Sequence, residues 1–253
     1  MSANSGDTAA AERLLRTYPR TRPPLSPAHQ ASYVEHYRAN RSGQGISSVV
    51  MHLEAWMHRE VARTTAETIL EIGAGNLNHV PYHPGGIYDV VEPFRELWED
   101  SPHRRQVRSI FHDIGEIPEQ AVYDLVLSIA VLEHLTDLPS VIARAAMLLR
   151  EGGRLRAAFP SEGGVLWGLA WRTTTGAAYR LKRGLDYGAI MRHEHVNSAR
   201  EILQVLEYYF AQVEWPRFPS PWHHLSFYTV ASAAMPRLDR CRQWRVRQSE
   251  AMP

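Results

Sequence analysis

Between residues 68 and 160 short apolar runs recur, each bounded by polar or glycine-rich sequence. They read "TILEI" (68–72), "IYDVV" (87–91), "VRSIF" (107–111), "YDLVLSI" (123–129) and "GRLRAAF" (153–159). Runs this short and this rich in Val, Ile and Leu predict strands buried on both faces. The spaces between them suit helices or turns, so crossover connections and a parallel sheet follow. One helix is well marked between the fourth and fifth runs. Leu138, Val141, Ile142, Ala145 and Leu149 share a face, Asp137 is placed to cap it, Pro139 suits its first turn, and Gly152 with Gly153 would stop it.

The periodicity changes on either side of this block. "SSVVMHLEAWMHREVAR" sets Val50, Leu53, Met57 and Val61 at three- and four-residue spacing, which predicts an amphipathic helix leading into the core. "SAREILQVLEYYF" opens with Ser198 and Glu201 in capping-box spacing and predicts a second. "AQVEWPRF" and "HLSFYTVASAA" read as two closing strands, antiparallel to each other. The expected organisation is a flexible arm over 1–30 and one domain over 31–236. Within the domain come a leading helical segment (31–66), a core (67–160), a lid or acceptor insertion (161–197) and closing elements (198–236). A basic, solvated tail over 237–253 ends the chain. The arm is inferred from four prolines in "TYPRTRPPLSPAHQ", and the tail from five arginines set against Asp239 and Glu250.

Composition narrows the class. Lys plus Arg number 28 against 27 for Asp plus Glu, leaving no general field for nucleic acid. A single cysteine, Cys241, excludes an internal disulfide and a cysteine-rich metal site. No run approaches the roughly 20 apolar residues of a membrane span, and the start of the chain lacks the pattern of a signal peptide. A soluble cytoplasmic protein is expected.

Candidate chemistry gathers where the strands end. In "LEIGAGN" the first strand closes on Glu71, and Gly73 and Gly75 leave bare backbone that a flat ligand can approach. A dinucleotide fingerprint needs a third glycine where Asn78 stands, and Pro81 interrupts the helix that would receive a diphosphate. Glu71 would repel a diphosphate and attract an ammonium, and S-adenosylmethionine carries an ammonium and a sulfonium without phosphate. Glu92 ends the second strand about twenty residues on, where an acid accepts ribose hydroxyls. Asp113 follows the third strand in "IFHDIGEI", placed either to accept from an adenine amino group, with Ile114 beside the ring, or to form a turn.

The stretches "LEIGAGN", "VVEP", "HDIGEIP" and "YDLVLSIAVLEHLTDLPSVIARAAMLLREGGRLRAAFP" together resemble the class I S-adenosylmethionine-dependent methyltransferases, in particular the bacterial group with the "VLEHL" signature. The resemblance covers roughly residues 67 to 160. It implies a doubly wound, Rossmann-like α/β fold with a seven-stranded sheet, one strand antiparallel and helices on both faces. The implied activity is methyl transfer from S-adenosylmethionine. By the same resemblance Glu71, Gly73 and Gly75 hold the methionine part, Glu92 the ribose and Asp113 the adenine, Ile129 and Ala130 line the cleft, and Ala74, Asn76, Pro93 and Ile114 also belong to the cofactor-binding set. Tyr37, Arg38 and Arg41 stand where a clamp for the methionine carboxylate or a solvated basic face would be.

An alcohol acceptor benefits from a base, and three histidines compete for that role. His134 lies in "VLEHL", and His193 and His195 flank Glu194 in "MRHEHVN", where alternate spacing would put both imidazoles on one side of an extended chain. Each has a structural hydrogen bond as its other reading. A metal role for the pair lacks a third ligand, and no metal is expected. The expected acceptor is a small molecule or glycan, methylated at oxygen, with no nucleic-acid partner. The competing functions are an NAD(P)-dependent oxidoreductase and a non-catalytic S-adenosylmethionine-binding subunit.

Overall fold

The computed structural model describes residues 5–33 and 48–251. Five strands follow the apolar runs: β1 (Thr68–Ile72), β2 (Ile87–Val91), β3 (Val107–Phe111), β4 (Tyr123–Ile129) and β5 (Leu149–Pro160). They are joined at the carboxyl end of the chain by β6 (Phe210–Glu214), the short β7 (Arg217–Pro219) and β8 (Ser226–Pro236). The sheet order is β3-β2-β1-β4-β5-β8-β6, with β7 beside β8. β1 to β5 are mutually parallel, and β8 runs antiparallel to β5, β6 and β7. The expected seven strands therefore form the path, and β7 is an eighth attached at its side.

Alternation within each strand divides the core into two layers. Leu70, Ile72, Val126, Leu155 and Phe159 face one cluster, whereas Ile69, Val90, Leu125, Leu127 and Ala158 face the other. Burial on both faces makes β1 and β4 predominantly apolar, whereas β3 at the sheet edge carries Arg108 and Ser109, and buried Asp89 of β2 is paired with Arg108 and Tyr123. The first layer is covered by α3 (Leu138–Met147) and α7 (Ala199–Tyr209), and the second by α2 (Ser48–Val61), which contributes buried Met57 and Val61. The Ser198–Glu201 capping box forms in full.

Two local expectations fail. Asp137 precedes α3 but makes no side-chain cap, and its Oδ1 is buried without a hydrogen-bond partner among the described residues. Gly152 and Gly153 do not stop the helix, which ends at Met147; they lie inside β5 where its register with β4 shifts. Gly152 takes φ +78°, and a Cβ on Gly153 would meet the Tyr123 carbonyl at 3.0 Å.

The ends of the chain also differ from expectation. The first described residues form a helix, α1 (Ser5–Leu15), not a free arm. Ala11, Leu15 and Tyr18 are buried in the first layer, and Tyr18 donates to Asn197 Oδ1 at 2.7 Å. The prolines only mark the exit from that packed helix. α8 (Leu238–Ala251) is not a solvated tail, because Cys241 and Trp244 are buried and the Trp244 indole donates to Ser140 Oγ on α3 at 2.8 Å. An apolar face two side chains wide suffices when a helix already offers a partner surface. The insertion over 161–197 consists of α4 (Val165–Trp171), a π turn (Arg172–Gly176), α5 (Ala177–Arg183) and α6 (Tyr187–Glu194).

Candidate active site

Strand order reverses between β1 and β4, and the loops leaving their carboxyl ends frame the topological switch point. The loop after β1 is the glycine segment. Gly73 takes φ +74° and lies so close to the loop after β4 that a Cβ on it would come within 2.4 Å of Val131 Cγ2. Only glycine fits there. On the β4 side Ile129 is nearly buried, and Ala130 also takes a positive φ, 54°. Between Gly73 and β2 the only helical element is a single turn, Val80–Tyr82. Among the described residues no α-helix follows the glycine loop before β2, so that connection lacks the dipole and free amides that bind a diphosphate.

Glu92 ties this loop to the end of β2. Its Oε2 accepts from the Gly75 amide at 2.8 Å and its Oε1 from the Phe94 amide at 3.0 Å. A carboxylate offers about four acceptor positions, so each oxygen keeps capacity for a hydroxyl after these bonds. Glu71 is buried beneath the loop and accepts from the Tyr88 hydroxyl at 2.8 Å. Burial, helped by the nearby Glu92 charge and opposed by the Tyr88 bond, pushes its carboxyl up to about 8. Glu71 is therefore largely protonated at neutral pH until a cation arrives. Ala74 is buried in the second layer, Asn76 is exposed with its carbonyl held by Ser101 Oγ at 2.7 Å, and Pro93 is exposed.

The third strand is less favourable to a ligand. The exposed Asp113 caps its own turn, its Oδ1 accepting from Gly115 N at 2.7 Å, which is the turn-forming role. Ile114 is buried in the first core layer. Tyr37, Arg38 and Arg41 lie outside the described residues.

The three histidines separate. His193 Nδ1 bonds the Pro23 carbonyl at 2.8 Å, and its ring packs on Tyr33, so it serves the N-terminal segment. The expectation that His193 and His195 face the same way fails because His193 lies on α6 and His195 caps it, which turns the two rings apart. His134 and His195 instead come together, edge to face with centroids 4.9 Å apart. His134 Nδ1 lies 2.9 Å from the Glu194 carbonyl, which can only accept. His195 Nδ1 lies 3.0 Å from Glu162 Oε2. Both rings thus carry the Nδ1 proton and present Nε2 as the basic nitrogen.

Glu162, just past β5, carries no motif that marks it in the sequence, although it obeys the same rule of acids at strand ends. It also accepts from the Trp167 indole at 2.5 Å. Burial alone would raise its carboxyl; the His195 hydrogen bond and charge, with the Trp167 donor, bring it below its usual value. Glu133, buried beside His134, is pushed up by burial against the His134 charge. Arg22 braces the assembly from the N-terminal segment, donating to the carbonyls of His134 and His193, both at 3.0 Å. Among the described residues no cluster of His, Cys, Asp and Glu has metal-binding geometry.

A methyltransferase-domain family model matches residues 37–232. No curated protein sequence matches the chain. Solved structures share its fold at low identity. An O-methyltransferase family protein from Burkholderia thailandensis is 15% identical at TM-score 0.53, with 93% of this chain and 74% of that one covered. The 1,6-didemethyltoxoflavin-N1-methyltransferase of the same organism, solved with S-adenosylhomocysteine, is 19% identical at TM-score 0.53, covering 84% and 92%. The plantazolicin methyltransferase BpumL, also solved with that product, is 11% identical at TM-score 0.58, covering 91% and 96%. With a bare glycine loop, a carboxylate beside it and no diphosphate-binding helix, the chain belongs to the methyltransferase-domain family and has the fold of the class I enzymes that use S-adenosylmethionine.

Proposed function

We propose that this protein methylates a hydroxyl of a small-molecule or glycan acceptor, with His195 as the base. The observation that carries this reading is the 3.0 Å contact between His195 Nδ1 and Glu162 Oε2, beside His134 in the turn after β4. Solved relatives include methyltransferases named for nitrogen and for oxygen, so the fold does not choose the atom. A neutral amine needs no base to attack, whereas a hydroxyl gains from losing its proton as the bond forms. A histidine held by a carboxylate has that use.

The residues divide the work as follows. Gly75, with open space where a side chain would be, lets the donor lie against main chain while Gly73 lets the loop pack on Val131, Glu92 receives the ribose hydroxyls with the acceptor capacity left to it, and Glu71 meets the donor's positive charge. S-adenosylmethionine, when bound, supplies an electrophilic methyl and a neutral thioether leaving group. Glu162 fixes the His195 tautomer and stabilises the imidazolium formed when Nε2 takes the acceptor proton. His134 closes the wall beside it. Trp167 and the rest of 161–197 cover the acceptor side and exclude water.

The test is transfer of label from methyl-labelled S-adenosylmethionine to paired acceptors that differ only in carrying a hydroxyl or an amine. Labelling of hydroxyl acceptors with a rate that rises with pH supports the reading. Labelling confined to amines, unaffected by His195→Gln, overturns it.

A further inference from the structure

The helical run after Glu162 has a surface that methyl transfer does not use. From Gly163 to Leu185 the chain carries Arg172, Arg180, Lys182 and Arg183 and no acid at all, and Lys182 is the sole lysine of the protein. Solvated helix faces ordinarily mix both signs.

The same run leaves large apolar side chains in water. Val165 is 64% and Leu169 57% exposed, four residues apart on α4 and hence on one face. The turn His223–Leu225 packs against the start of α4, where a Cβ on Gly164 would come within 2.7 Å of the His223 carbonyl. That packing brings Trp222, 70% exposed, and Leu225, 47% exposed, to the same end. Farther along the run Leu181 is 92% exposed between Arg180 and Lys182, both exposed themselves.

Aliphatic and indole side chains set among cations of one sign suit a membrane boundary. The apolar groups enter the acyl region and the cations meet lipid phosphates. Charge complementarity chooses the occupant: an anionic lipid surface meets the exposed Arg180 and Lys182, and a neutral protein face does not. Nucleic acid also carries phosphates, but Val165, Leu169, Leu181 and Leu225 offer it nothing to stack on. We propose that the face built from 163–185 and 222–225 docks on anionic lipid surfaces. The consequence for the substrate rests on the methyl-transfer reading. Trp167, on the opposite side of the same helix, donates to Glu162, so docking would bring the helix that covers Glu162 and His195 against the lipid surface. The acceptor class is then an amphiphile, a hydroxyl-bearing headgroup on a lipid tail.

The experiment is co-sedimentation of the full chain with phosphatidylcholine vesicles and with vesicles also containing phosphatidylglycerol, at about 0.1 M and about 0.5 M salt. The protein should pellet with the anionic vesicles at low salt and largely release at high salt. Arg180→Glu with Lys182→Glu, and separately Leu169→Glu with Leu181→Glu, should each weaken retention at least tenfold. Equal retention by both vesicle types, no retention by either, or unchanged retention in both variants would overturn the proposal, as would capture by RNA in place of vesicles. Titration of each variant with S-adenosylhomocysteine reads the donor site separately and confirms that the variant is folded. Vesicle binding without affinity for that product would fail the methyl-transfer reading and leave the docking face standing.

Discussion

The Gly75 amide donates to Glu92 Oε2 at 2.8 Å, so the glycine loop after β1 and the end of β2 are held as one unit. The residue proposed to receive the ribose is also the one that shapes the crevice. Glu92→Ala should therefore act twice. It removes a charged acceptor from the donor, lowering affinity about ten- to a hundredfold, and it leaves the Gly75 and Phe94 amides without their acceptor, costing roughly 1–3 kcal/mol of stability. Calorimetric titration with S-adenosylhomocysteine and a urea unfolding curve measure the two effects. Full affinity in a folded variant would remove Glu92 from the site.

Glu71 predicts a pH dependence of opposite sign to the usual carboxylate. Its folded value is raised from 4.5 to about 8 by burial. Between those values the fold keeps a proton that the unfolded chain gives up. The stability Glu71 contributes is thus full below about pH 4.5 and is lost as pH rises through about 8, at up to about 1.4 kcal/mol per pH unit. Glu71→Gln should flatten that slope in unfolding curves taken from pH 5 to 9. A cationic donor pulls the carboxyl back down, so binding near pH 7 should release a proton. Calorimetry in two buffers of different ionisation enthalpy reads the release; equal heats would mean that Glu71 is already ionised.

A histidine group behind the loop gives the complementary prediction. His58 and His79 meet Nδ1 to Nδ1 at 2.8 Å, His79 stacks on Tyr82 with centroids 5.2 Å apart, and its Nε2 is buried with no hydrogen-bond partner among the described residues. Burial first, then the charges of His58 and His83, lower His79 from 6.5 to about 2. The unfolded chain binds this proton below about pH 6.5 and the fold does not, so stability should fall as pH drops from that point. Between about 4.5 and 6.5 this slope opposes that of Glu71. His79→Phe should weaken the acid loss even though it costs stability overall by leaving His58 without its contact. An unchanged acid limb would show that the group protonates within the fold.

The N-terminal segment should behave as part of the domain. Removing residues 1–24 withdraws Leu15 and Tyr18 from the core, together with the Arg20–Glu201 ion pair at 2.6 Å. At about 1.5–3 kcal/mol for each large side chain, the loss should reach roughly 3 kcal/mol or more. Arg20→Ala alone should cost less, because the pair is partly solvated. Equal midpoints for the truncated and full chains would return the segment to an arm.

What the sequence discloses depends on how many faces of an element are buried. β1 and β4 lie inside the sheet and are buried at nearly every position, so their composition is constrained and their limits are legible; β5 is mostly exposed along its first half and begins four residues before its apolar run. α1 and α8 bury narrow stripes against surfaces contributed by distant residues, and nothing within either segment declares the partner. The acids at strand ends are legible in position and less so in use. Glu92 turns toward the glycine loop and Asp113 toward its own turn, a difference of rotamer and local backbone that spacing does not encode. His193 and His195 diverge for a similar reason, since the helix ends between them.

That divergence supplies the last prediction. His195 is held by Glu162 at 3.0 Å and stands against His134, whereas His193 is held by the Pro23 carbonyl at 2.8 Å on the N-terminal side. His195→Gln should lower kcat by roughly a hundredfold or more, with affinity for S-adenosylhomocysteine kept, because a base acts only once the acceptor proton begins to move. His193→Gln should leave kcat within about twofold and cost only the stability of one exposed hydrogen bond and the ring contact with Tyr33. Glu162→Gln separates positioning from charge. A glutamine oxygen still accepts from Nδ1, so the tautomer survives, but the imidazolium loses its counter-charge. The rate should fall by roughly tenfold with KM little changed, and the acidic limb of the pH–rate profile should move to lower pH. A merely structural Glu162 would leave that limb in place. If His195→Gln keeps the rate and His134→Gln removes it, the base is the other ring of the pair, and Glu162 holds only the wall.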